Sequence, residues 1–167
     1  MKKILLTLIT IIAVNAAVSA QIIKVAPIAL AFGVINAGYE KQLGDKSSIY
    51  PSASFYTSSG TTGFGLGLQY RKYLSSNKDF PAGFFVAPEL QYANLSAKAS
   101  GLSDYTYSAF SVGAQVGYQW LLGDSFTIEA SVGPAYWISS TKTGYDVVYN
   151  GVRPSIGLNL GYYFGGK

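Results

Sequence analysis

The stretch Gly63-Phe64-Gly65-Leu66-Gly67-Leu68-Gln69-Tyr70-Arg71 sets Phe64, Leu66, Leu68 and Tyr70 at one parity and Gly65, Gly67, Gln69 and Arg71 at the other. A period of two marks a β-strand whose two faces meet different surroundings. The same division recurs downstream. From Thr106, Phe110, Val112, Ala114, Val116, Tyr118 and Trp120 oppose Ser111, Gly113, Gln115, Gly117 and Gln119. From Phe126, Ile128, Ala130, Val132, Pro134 and Tyr136 oppose Thr127, Glu129, Ser131, Gly133 and Ala135. In the last run, Pro154, Ile156, Leu158, Leu160, Tyr162 and Phe164 oppose Arg153, Ser155, Gly157, Asn159 and Gly161. The second face is too polar for a soluble core, and beyond residue 22 no helical stripe extends over a useful length.

Eight such runs are predicted: Ile22–Ala31, Val34–Leu43, Ser47–Thr57, Gly63–Leu74, Gly83–Ser96, Thr106–Leu121, Phe126–Ser139 and Gly151–Phe164. Composition agrees with an all-β chain. Of 167 residues 49% are hydrophobic and 12% charged, which excludes disorder, and 19 Gly and 14 Tyr against one Met favour strands and turns. Pro51, Pro88, Pro134 and Pro154 fall within strands and call for bulges or strand ends, because Pro donates no ladder hydrogen bond. Ile22–Ala31 is apolar on both faces, so its register is weakly specified. Without it the count falls to seven and this scheme does not close.

The aromatic residues favour an inverted, lipid-facing barrel over a soluble one. Phe110 and Trp120 are ten residues apart, as are Phe126 and Tyr136. At about 3.3 Å per residue and a tilt near 40°, that spacing projects to roughly 25 Å, the height of an outer-membrane apolar band. Tyr39, Tyr70, Phe84, Tyr118, Trp120, Phe126, Tyr162 and Phe164 would form one girdle, and Phe55, Phe64, Tyr92, Phe110 and Tyr136 the other. Eight strands also put both barrel ends in the periplasm. The turns Leu43-Gly44-Asp45-Lys46 and Leu122-Gly123-Asp124-Ser125 then lie on that side together with Ser75–Ala82. The segments Ser58–Thr62, Ala97–Tyr105 and Ser140–Asn150 become extracellular loops, and the tyrosines at the loops, Tyr105, Tyr107, Tyr145 and Tyr149, contact a partner, extend the girdle or stabilise loop ends.

The first twenty residues carry a different signal. Met1-Lys2-Lys3, the apolar run Ile4–Val14 and the small residues ending in Val18-Ser19-Ala20 read as a secretory signal peptide over residues 1–20, with the barrel in 21–167. The apolar run is too short to span a bilayer as a helix. Removing Lys2 and Lys3 leaves ten basic against eight acidic residues, so the charge offers no case for nucleic acid.

The run Asn159-Leu160-Gly161-Tyr162-Tyr163-Phe164 resembles the C-terminal signal that hands outer-membrane barrels to their assembly machinery, carried by Leu160, Tyr162 and Phe164, although Gly165-Gly166-Lys167 follows. The segment Gly38-Tyr39-Glu40-Lys41-Gln42-Leu43 with Gly44-Asp45-Lys46-Ser47 resembles the opening of a family of small outer-membrane barrels of largely unassigned function. In layout the whole segment 21–167 is similar to the eight-stranded barrels typified by the outer-membrane proteins A, X and W. Such a resemblance implies architecture, and function does not transfer with it.

Chemistry is sparse. With neither Cys nor His, the chain lacks thiol nucleophiles, imidazole dyads and the usual zinc clusters, so no catalytic residue, cofactor or metal site is expected. Enzymes known on small outer-membrane barrels use a His, which argues against enzymatic activity here. The glycines of Gly63-Phe64-Gly65-Leu66-Gly67 are strand positions, and no Gly-Lys-Ser or Gly-Lys-Thr follows to make a phosphate loop. The inward charges Glu40, Arg71, Glu89, Glu129 and Arg153 are the candidate site, a lumen charge network that Lys24 joins near the periplasmic end, with Arg153 closer to the extracellular end. Isolated charges in a narrow lumen are costly, so pairing is expected, either purely structural or along a path for ions or solutes.

The expected function is therefore a non-enzymatic integral outer-membrane barrel of the Gram-negative envelope. It serves envelope structure or acts as an accessory subunit of an outer-membrane assembly. Its partners would be outer-membrane lipid, the barrel assembly machinery and another outer-membrane protein. One rival is a narrow channel or lateral conduit for small or hydrophobic solutes, and another is a soluble secreted barrel with a central ligand. Tyr50, Tyr56, Tyr73, Phe85, Trp137 and Tyr163 face inward in this register and would fill an eight-stranded lumen, with glycines such as Gly65, Gly117 and Gly161 making room.

Overall fold

The computed structural model describes residues 20–58, 60–76, 80–97, 105–142 and 150–164. The signal-peptide reading of residues 1–20 thus lies outside the described residues, apart from Ala20. Eight antiparallel strands close into a barrel in chain order. They are β1 (Gln21–Val25), β2 (Val34–Gly44), β3 (Ser47–Ser58), β4 (Thr61–Tyr73), β5 (Gly83–Ala97), β6 (Tyr105–Leu122), β7 (Phe126–Lys142) and β8 (Gly151–Phe164). Short connections force consecutive strands to be neighbours. Asp45-Lys46 links the Gly44–Ser47 pair, and a turn with Gly123 at φ +62° links Leu122 to Phe126. Both lie at one end of the barrel, the short-turn end, together with the β4–β5 connection and the β1–β8 pair Gln21–Phe164.

The first strand differs from its expected span. Ile22–Ala31 is extended only to Val25, and Pro27–Ala31 forms a short helix, α1. Proline explains the change: it has no N–H for a ladder, whereas its fixed φ suits the first helical position it occupies. Gly33, at φ +71°, then reverses the chain into β2. Five residues still suffice for closure, because Gln21–Val25 pair with Lys41–Ala37 on one side and Phe164–Leu160 on the other. The closure has a consequence above Val25. Toward the loop end, β8 from Gly151 to Asn159 pairs with β7 alone, and α1 occupies the place where a longer β1 would have run.

Three prolines interrupt ladders without shifting them. Pairing skips from Gly38–Ser52 to Lys41–Ile49 beside Pro51, from Gln69–Glu89 to Lys72–Val86 beside Pro88, and from Gly113–Ala135 to Val116–Val132 beside Pro134. Pro154 pairs with Pro134 in unbroken register. The strands also run further toward the loop end than expected, so Tyr105 joins Tyr107 in β6. Tyr145 and Tyr149 lie outside the described residues.

Outward positions are apolar and open. Leu66, Val112, Val116, Val132 and Ile156 all point away from the lumen, with Ile156 76% exposed. Rings border this face at both ends. Phe84 packs edge-on against Tyr118 and Phe126 against Tyr162 at the short-turn end, while Phe64 lies 6.1 Å from Tyr92 toward the loop end. Leu160, Tyr162 and Phe164 lie outward on the end of β8, with the Tyr162 and Phe164 rings 4.7 Å apart.

The apolar core is small and sits at the bottom of the lumen: Ile22, Tyr73, Phe80, Phe85, Ala87 and Tyr163. Phe80, from the β4–β5 connection, folds under the barrel and stacks edge-on with Tyr73 at 5.5 Å and Tyr163 at 6.1 Å. Glycines admit the inward rings at two places. A Cβ on Gly38 would overlap the Tyr50 ring, and one on Gly117 would meet Phe85.

Candidate functional site in the barrel lumen

Above the apolar floor, strands on opposite sides of the barrel project four charged side chains to one point. They are Lys24 on β1, Glu40 on β2, Arg71 on β4 and Glu129 on β7, each at most 1% exposed. Arg71 reaches Glu129 through both terminal nitrogens, at 2.6 and 3.0 Å, and Glu40 at 3.1 Å. Lys24 bridges the same two carboxylates and also donates to Gln119. The remaining acceptor sites are filled as well. Glu40 accepts from Ser48 and from the Tyr73 hydroxyl at 2.8 Å, and Glu129 accepts from Asn159 at 3.1 Å.

The cluster leaves no cation donor over. Nε of Arg71 donates to Gln69, Nη1 to Glu40 and Glu129, and Nη2 to Gln69 and Glu129, so all five of its N–H groups are engaged. All three donors of Lys24 are engaged too. The guanidinium is further sandwiched between rings, 4.2 Å from the Tyr50 centroid and 4.7 Å from that of Phe85. Charges removed from water are stable only when paired and hydrogen-bonded this completely. The arrangement can hold strands together across the lumen; it presents no free nucleophile or base.

Glu89 stands apart from this cluster, contrary to the single network expected from parity, and Arg153 stands apart at the loop end, the end expected for it. Glu89 pairs with Gln69 in the β4–β5 ladder, and Arg71 lies two residues nearer the short-turn end, so the carboxylate sits a layer higher. Its Oε2 accepts from the side-chain amides of Gln69, Gln91 and Gln115 at 3.0–3.1 Å. Its Oε1 receives no hydrogen bond from any described residue. Arg153 is exposed on β8 opposite Ala135, whereas Glu129 faces Asn159 six residues nearer the short-turn end. Height along the axis separates the residues, and parity carries no information about height.

Other members of the cluster were readable only in part. Ser48, Gln119 and Asn159 share the inward parity of their strands, a signal that marks them as lumen residues without naming their partners. Gln119 also donates to the Pro81 carbonyl at 2.6 Å, which ties the β4–β5 connection to the lumen wall. Nothing in the alternation pattern points to Phe80 or Pro81, since neither belongs to a strand.

Above Glu89 lies a cavity of about 490 Å3. Its floor is polar, with Gln69, Glu89, Gln91, Gln115 and Asn159, and the rings of Tyr56 and Trp137 stand along it. Its border toward β1 is apolar, with Ala26, Ile28, Ala29 and Phe32 of α1 and its flanks and with Ile156 and Leu158 of β8, whose side chains lie on the outward face. The lumen therefore has two parts, a closed ionic and aromatic base and an upper chamber bordered by the incomplete wall. Among curated proteins, none matches this chain. Residues 4–155, which reach from the N-terminal segment through β7 into β8, match the family described as "Protein of unknown function (DUF3575)", and the chain belongs to that family.

Proposed function

We propose that this protein is an integral outer-membrane β-barrel without catalytic activity, which serves envelope structure or acts as an accessory subunit of a larger outer-membrane assembly. The observation that carries the reading is the inverted polarity of the wall. Leu66, Val116 and Ile156 are exposed outside while Lys24, Glu40, Arg71 and Glu129 are buried inside. An outer face of this kind suits hydrocarbon, where closed ladders satisfy the backbone and aromatic girdles mark the two interfaces. The signal-like residues 1–20 supply an export route, and Leu160, Tyr162 and Phe164 supply the contact for the assembly machinery. The closed base argues for a structural barrel over a porin.

The lateral-conduit reading has one observation in its favour, the upper half of β8 that β1 leaves unpaired beside a cavity. Fractionation of cells producing the chain tests the main reading. Recovery in the outer membrane with an intact mass beginning at Gln21, and copurification of a second envelope protein from mild detergent, are the expected results. Recovery as soluble periplasmic protein would overturn it.

A further inference from the structure

Among the described residues five charged side chains are buried in the lumen: the cations Lys24 and Arg71, and the carboxylates Glu40, Glu89 and Glu129. Formal charge therefore leaves one negative unit in excess among these residues. The bonding pattern places that excess on Glu89. Every N–H of Lys24 and Arg71 is directed to other acceptors, and Arg71 fixes the orientation of Gln69 by donating to its Oε1 at 2.9 and 2.7 Å. The amide nitrogen of Gln69 is thereby turned to Glu89 Oε2, the oxygen that Gln91 and Gln115 also serve. Oε1 is left without a donor on a side chain that is 98% buried and lines the cavity.

A buried carboxylate oxygen without a donor is costly, and an incoming cation with N–H groups removes the cost and cancels the charge. The shape of the chamber says what the rest of such a ligand is. Its floor is amide and hydroxyl, while its border where the wall lacks a strand carries Ile28, Phe32, Ile156 and Leu158, exposed apolar side chains that lead outward from the chamber. A ligand with a compact polar head and an apolar tail matches both surfaces at once. We propose that the chamber binds one cationic amphiphile of the alkylamine class, its ammonium pairing with the Glu89 carboxylate and its chain leaving the barrel between α1 and the upper half of β8. The exit of the chain into lipid rests on the outer-membrane reading above; the contact of the head with Glu89 does not.

The test uses the chain processed at Ala20 and refolded into phosphatidylcholine nanodiscs. Trp137 lines the cavity and Trp120 faces outward, so Trp120→Phe leaves one reporter in the chamber. Titration with dodecylammonium is expected to change Trp137 emission saturably. Dodecanol and ethylammonium should each bind at least about tenfold more weakly, the first for lack of charge and the second for lack of a chain, and dodecyl sulfate should not compete. Glu89→Gln should weaken dodecylammonium by about tenfold or more while leaving the unboiled gel mobility of a folded barrel. If that variant does not fold, the head-group series on the parent decides. Equal binding of ammonium, alcohol and sulfate heads, or undiminished binding by folded Glu89→Gln, would overturn the proposal; ethylammonium binding as tightly as dodecylammonium would overturn the amphiphile. The same discrimination in a protein that fractionates as soluble would refute the membrane reading and leave the Glu89 site standing.

Discussion

Replacing Arg71 by Met keeps an unbranched stem out to about the level of Nε and removes the charge and five hydrogen bonds. Glu40 and Glu129, at 0% and 1% exposure, would then share Lys24 alone, and Gln69 would lose both donors to its Oε1. Removing one partner of a buried ion pair costs about 3–5 kcal/mol, because the other charge is left in a medium that solvates it poorly. Here one cation remains between two carboxylates, so a loss of about 4 kcal/mol is expected. Urea titration in lipid vesicles, followed by tryptophan emission and by the gel-mobility difference before and after boiling, measures it. The double variant Arg71→Met/Glu129→Gln should recover at least half of the loss, since it removes the stranded charge while leaving the volume change in place. A single-variant loss below about 1 kcal/mol would show that the cluster is solvated and does not hold the strands together. A double variant as unstable as the single would trace the cost to packing.

Three further outcomes are expected. Leu68→Arg or Val116→Arg should destabilise the membrane-inserted barrel by about 2–4 kcal/mol, and Gln115→Arg should carry no such lipid-face penalty; equal cost at both faces, read by the same urea titration, would contradict the facing scheme. Gly38→Ala should cost about 1–3 kcal/mol, because the added methyl overlaps the Tyr50 ring that covers Arg71, and a neutral effect would mean that the ring has room to move. Planar-bilayer recordings should show no porin-sized conductance, because Phe80 and the Lys24–Glu40–Arg71–Glu129 cluster close the base; a stable large conductance would refute that closure.

Alternation by itself determined which face each strand residue takes, since a one-residue slip would invert every side chain at once. It therefore placed Tyr50, Tyr73, Phe85, Glu40, Arg71 and Glu129 inside, and Leu68, Val116 and the girdle rings outside, before any register was known. The turn residues made two pairs of consecutive strands neighbours, because Asp45-Lys46 and the Gly123 turn can join only adjacent antiparallel strands. The tertiary structure decided which inward residues meet. Lys24, Glu40, Arg71 and Glu129 belong to strands that are not all neighbours, and whether they share a layer depends on the cumulative stagger of the ladders around the closed barrel. That stagger puts Glu89 one layer above Arg71 and leaves Arg153 near the rim, although all three have the same parity. Only the assembled barrel could show where α1 lies once Pro27 has ended β1 and that Phe80 turns back under the lumen. Both depend on segments outside the period-two pattern, whose positions are set by the space that the closed strands leave to them.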